Sequence, residues 1–107
     1  MEVGLKKLES HERVAVKALL DSRAMDLFMN TKFTKEKGFK LQKLKNPLLV
    51  ENVDRTVNVR RVITYQVECN MFFKGHVKRA WIDIYNLRET EVILSMLWLA
   101  AHNLEIN

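Results

Sequence analysis

The chain has 107 residues, 48% apolar and 29% charged, with a net charge of +5 and a pI of about 9.5. That length holds one hydrophobic core, the mixture excludes wholesale disorder, and no apolar run is long enough to cross a membrane as a helix. The lone Cys69 excludes an intrachain disulfide and suits a reducing, cytoplasmic setting.

Residues 1 to about 12 lack the hydrophobic core of a signal peptide. They read as a segment flanking a single domain cut from something longer. Val14, Val16, Ala18 and Leu20 then alternate with Ala15, Lys17 and Leu19, the period of a strand buried on at least one face. Asp21 to Ala24 form the turn that ends it. The run "TKFTKEK" (residues 31–37) predicts a short helix, with Thr31 as N-cap and Gly38 as the stop. Two short strands follow over residues 39–44 and 48–53, parted by the turn signal Asn46-Pro47.

The clearest periodicity comes next. Ile63, Tyr65, Val67, Cys69 and Met71 fall on one face, and Thr64, Gln66, Glu68 and Asn70 on the other. Cys69 in such a strand reads as a buried structural thiol rather than a nucleophile. Lys74-Gly75 is a hairpin turn. The return strand sets Ala80, Ile82 and Ile84 against Arg79, Trp81, Asp83 and Tyr85. "EVILS" (residues 91–95) is a further apolar strand, and "MLWLAAHN" (residues 96–103) a terminal helix anchored on the core by Trp98 and Leu99. The sum is a mostly-β domain, a small barrel or sandwich with one or two short helices.

The basic residues do not converge. In "TKFTKEKGFKLQKLK" (residues 31–45) lysines alternate with apolar residues, as on the solvated face of a helix and a strand. Arg60-Arg61 and Lys78-Arg79 read the same way. Aromatic residues do not interleave with these cations on one face, so a nucleic-acid partner is not expected. His11, His76 and His102 lack metal-ligand spacing, and neither a metal nor a cofactor is implied.

Three ordered motifs carry a resemblance. The strand end "LLDSRA" (residues 19–24) is similar to the "LLDSGA" or "LVDSGA" of retropepsin-like aspartic proteases from gypsy-type LTR retrotransposons. "NVDRTVNVRRVIT" (residues 52–64) resembles their flap segment "NVDGT-N---G-IT". "IYNLRETEVILSMLWLAAHNLEI" (residues 84–106) resembles "VTNL---DVILGMPWL--HNPEI". The resemblance implies an all-β, closed or nearly closed barrel of the retropepsin type. It implies an aspartic endopeptidase domain of a retrotransposon polyprotein, cutting extended peptide segments.

Such chemistry needs two carboxylates close enough to share one proton, because both cannot stay ionised at that distance. The chain holds one Asp-Ser motif, so a second copy must supply the other and the site lies on a homodimer axis. By resemblance Asp21 is catalytic. Ser22, Arg23 and Ala24 support its loop, and the hairpin with Asp54, Arg55, Thr56, Arg61 and Ile63 is a flap closing over substrate. Ile93, Leu94 and Ser95 form the strand that passes the catalytic loop.

Where the family carries glycine, this chain has Arg23, Asp26, Arg55, Arg61 and Ser95. Met25 replaces threonine and Leu97 proline. Each change is one C-to-T or G-to-A step in a codon, the mark expected of a decayed copy; an intact sibling copy encoding Arg at 23, 55 and 61 would contradict that origin. Glycine at position 23 offers backbone freedom and close approach. An arginine there, duplicated in a dimer, sets two cations beside two carboxylates and opposes retention of the shared proton. The alternative function is therefore an inactive dimerisation or peptide-binding module with the same fold.

Overall fold

The computed structural model describes residues 1–53 and 58–104, with backbone only at 51–53 and 58–59. In chain order the elements are β1 (Glu2–Lys7), β2 (Arg13–Asp21), β3 (Phe28–Asn30), α1 (Thr31–Glu36), β4 (Gln42–Val53), β5 (Asn58–Phe73), β6 (His76–Tyr85), β7 (Val92–Ser95) and α2 (Met96–Ala101). No helix among the described residues is long and apolar enough to cross a membrane.

The strands run in the order β1-β2-β7-β3-β6-β5-β4, and β1 pairs back onto β5. Six strands therefore close a ring, with β4 attached outside it. The expected all-β closed barrel with two short helices is what forms. Closure requires every ring strand to point alternate residues inward. On β2 these are Val14, Val16 and Ala18; on β5, Val67, Cys69 and Met71; on β6, Ala80, Ile82 and Ile84. They join Leu5, Met29, Leu94 and Leu99 in the main core. Strand β7 lies parallel to β2 and antiparallel to β3. It is covered on both faces and its four residues are all buried, which explains the unbroken apolar run "VIL".

The structure corrects several expectations. Residues 2–7, within the segment expected to flank the domain, form β1, which pairs antiparallel with β2 (Val3↔Val16, Leu5↔Val14) and β5 (Leu5↔Met71) and buries Val3 and Leu5. Without β1 the ring would stay open. The two strands expected at 39–44 and 48–53 are one, β4, whose register against β5 shifts between Lys43 and Leu48. Pro47 lacks the N–H a ladder needs, so it is tolerated within that irregular step. The N-cap position of α1 is Asn30, not Thr31, and its side chain makes no capping bond. It donates instead to the Arg88 carbonyl at 2.5 Å. Gly38, at φ +72°, ends the helix as expected.

Lys74 and Gly75 both have positive φ (46° and 79°), the two-residue turn joining β5 to β6 at Phe73↔His76. Two residues depart from the predicted faces. Tyr65 is exposed, because β5 pairs with β1 only from Cys69 onward and leaves the ring below it. Asp83 is only 3% exposed. It lies between register partners Phe28 on β3 and Gln66 on β5.

Candidate active site

Strands β2 and β7 run parallel and end together, so Asp21 is the register partner of Ser95. Beyond Asp21 the chain turns. The Arg23 backbone N–H donates to Asp21 Oδ1 at 2.8 Å, the self-bracing bond that suits Asp to turns. Asp21 is partly buried, Ser22 and Arg23 are exposed, and Ala24 is fully buried. Arg23 is not among the residues with positive φ. The turn therefore imposes no glycine-only backbone, contrary to the expectation. What distinguishes Arg23 from glycine here is bulk and charge.

Ser95, which by resemblance replaces a glycine, has a buried hydroxyl that both donates and accepts. Ser95 Oγ donates to the Ala24 carbonyl at 2.7 Å and accepts from the Trp98 N–H at 3.0 Å. One side chain thus caps α2 and ties the Asp21 loop to the end of β7. The sequence signal was a serine directly before an apolar helical run.

Ile93 and Leu94 point to opposite sides. Leu94 joins the main core. Ile93 joins a second cluster with Ala24, Phe28, Val50 and Ile63, flanked by Leu44, Tyr85 and Leu87. Ile63, expected in the flap, is wholly buried there. Arg61, two residues earlier on β5, sets its guanidinium carbon 5.5 Å from the Phe28 ring centre and 5.3 Å from that of Tyr85. Asp54, Arg55 and Thr56 lie outside the described residues.

The same end of the molecule is apolar at its surface. Leu19, Met25, Met96 and Leu97 are 55%, 61%, 44% and 52% exposed. They precede or follow Asp21 and Ser95 by one to four positions.

Other ionisable groups do not rival Asp21. Burial pushes the Cys69 thiol up to about 12, with Glu68 adding to it, so no thiolate is available. Burial also raises the Asp83 carboxyl; a 2.7 Å hydrogen bond from Gln66 opposes this and the Asp26 charge reinforces it. Among the described residues no cluster of three His, Cys, Asp or Glu side chains could hold a metal.

The protease-domain model of PEG10/RTL1 matches residues 17–107. The retroviral protease-like domain of Ddi1 from Leishmania major superposes with a TM-score of 0.56 at 17% identity, over 96% of this chain and 77% of that one. A Legionella pneumophila protein of unknown function gives a TM-score of 0.49 at 10% identity, over 95% of this chain and 85% of its own. No curated protein matches by sequence. At 17% identity the Ddi1 likeness speaks for the fold alone, and the family follows from the sequence model. The chain belongs to the PEG10/RTL1 protease domain family, a retrotransposon-derived family with the retropepsin-like fold.

Proposed function

We propose that this domain is an aspartic endopeptidase of retrotransposon-polyprotein origin, working as a homodimer in a reducing, cytoplasmic setting, with Arg23 suppressing its activity. The observation that carries the reading is Asp21, braced at the end of β2 and paired in register with Ser95, with exposed Leu19, Met25, Met96 and Leu97 within four positions of one or the other. A second copy related by a two-fold axis covers these side chains and brings two Asp21 carboxyls together. One, ionised, takes a proton from a water that attacks the scissile carbonyl. The other, protonated, gives its proton to the carbonyl oxygen, and the tetrahedral intermediate collapses with protonation of the leaving amine. An extended peptide suits such a site because its backbone pairs as an added strand.

Arg23 weakens this chemistry in the proposed dimer. Two guanidinium groups near the axis favour the doubly ionised pair and remove the acid. Cleavage of a peptide library is expected to be weak in the native chain and to rise on the order of 10²-fold in Arg23→Gly, the usual worth of a restored general acid. Asp21→Asn should abolish it in both backgrounds. Cleavage that survives Asp21→Asn overturns the assignment. Leu97→Asp should weaken self-association roughly 100-fold by placing a charge in an apolar contact, read by sedimentation. The exposed cation beside Asp21 also favours a second reading, a dimerisation or peptide-binding module that has kept the fold without the chemistry. A folded dimer that binds peptides but cleaves none, even as Arg23→Gly, would establish it.

A further inference from the structure

A cleft of about 350 Å³ lies where α1, β5 and the end of β6 meet. The register Lys43↔Tyr65↔Ile84 carries one sheet face across β4, β5 and β6 at this level. Ile84 is buried, while Tyr65, beside it and beyond the part of β5 that pairs with β1, is 40% exposed. The cleft is separate from the Asp21 turn. Neither Asp21 nor the exposed Leu19, Met25, Met96 and Leu97 line it.

Its walls are of two chemical kinds. Leu41, Val62 and Ile84, with the rings of Tyr65 and Tyr85, supply apolar surface. Lys35, exposed on α1, is the charged residue of the lining, and no Asp or Glu lines the cleft. Lys43, opposite Tyr65 in the ladder, adds a second exposed cation at the same wall. Neither lysine forms an ion pair with a described carboxylate.

A cleft of this volume stands at the small end of ligand pockets, and suits one ring or a short chain rather than an extended peptide. A neutral apolar guest would use the walls and leave the cations idle. A hydrocarbon body that ends in an anion uses both. Phosphate groups are held by arginine forks or converging backbone N–H groups, and no arginine lines this cleft. We propose that the cleft binds a small monocarboxylic acid with an apolar, ring-sized body, its carbon skeleton on Leu41, Val62 and Ile84 and its carboxylate at Lys35. The site depends on neither the Asp21 chemistry nor a dimer.

Titration of the isotope-labelled chain with phenylbutyrate, followed by its amide resonances, tests this. The shifts should map to residues 31–35, 41, 62–65 and 84–86. They should saturate with a dissociation constant on the order of 1 mM, as befits about a dozen heavy atoms. Phenylbutanamide, the same body without the charge, should bind roughly threefold more weakly, the scale of an exposed ion pair. That ratio should fall to about 1 in the double variant Lys35→Gln/Lys43→Gln and stay unchanged in Lys78→Gln, which removes a cation elsewhere. Val62→Asp, at a position 57% exposed, should weaken the acid roughly tenfold by setting a like charge in the wall. Shifts that map elsewhere, fail to saturate by about 20 mM, or ignore Val62→Asp overturn the site. Equal affinity for acid and amide in the native chain, or a preference unchanged in the double variant, overturns the carboxylate assignment.

Discussion

The two apolar clusters of this domain obey different rules. The ring core is closed by six strands and lined by aliphatic, aromatic and thiol groups such as Leu5, Met71, Cys69 and Ile82, all fully buried. The smaller cluster under β4 and β5 borders the Arg61 guanidinium, which lies over its Phe28 ring, and includes Ala24 from the Asp21 turn. The ring core is apolar throughout, whereas the smaller cluster borders a cation held over two rings. A substitution inside the closed ring should therefore cost more stability than one at the edge of the smaller cluster.

The sharpest test of that division lies in the ring. Ile82→Ala removes fully buried atoms that closed strands cannot collapse around, and should cost about 2–5 kcal/mol in urea unfolding. A cost below about 1 kcal/mol would mean that the ring is looser than its closure implies. Ser95→Ala probes the junction of the two ends. It removes a helix cap and leaves the buried Ala24 carbonyl without its donor, an expected loss of about 1–3 kcal/mol. If cleavage or peptide binding falls further than stability, Ser95 holds the Asp21 loop as well as the fold. Ser95→Gly, the family residue, should lose the same bonds.

The smallest effect concerns Asp83, a polar residue buried between β3 and β5. Its folded value is raised by burial, so the folded state binds more protons than the unfolded one in the window above the ordinary carboxylate value of 3.8. Stability must then fall as pH rises through that window and stay lower above it. Asp83→Asn keeps an oxygen for Gln66 and removes the charge. Its urea midpoint should fall less than the native one between about pH 3 and pH 7. An equal fall in both would place the pH dependence elsewhere.

Much of this architecture was legible in one dimension. The alternation in β2, β5 and β6 announces strands because a sheet reverses its faces at every residue. Lys74-Gly75 marks its hairpin through local backbone preference. The order "LLDSRA", "NVDRTVNVRRVIT", "VILSMLWL" pointed to the family because each motif is local and intact enough to match. The adjacency of Asp21 and Ser95 followed from that resemblance rather than from spacing.

Other features arose only when distant segments met. Six residues of β1 look like a flank until β2 and β5 supply partners on both sides. β4 continues across Pro47 because β5 accommodates a shifted register, which no rule about Asn-Pro anticipates. Ser95 and Ala24 lie 71 positions apart, and the bond between them exists because β2 and β7 end at one level. Arg61 reads as a solvated cation in the chain and becomes a stacked one through Phe28 and Tyr85, which lie on β3 and β6. Short-range pattern selects strands, turns and faces; which charges are buried, and what they touch, depends on pairings between strands remote in sequence.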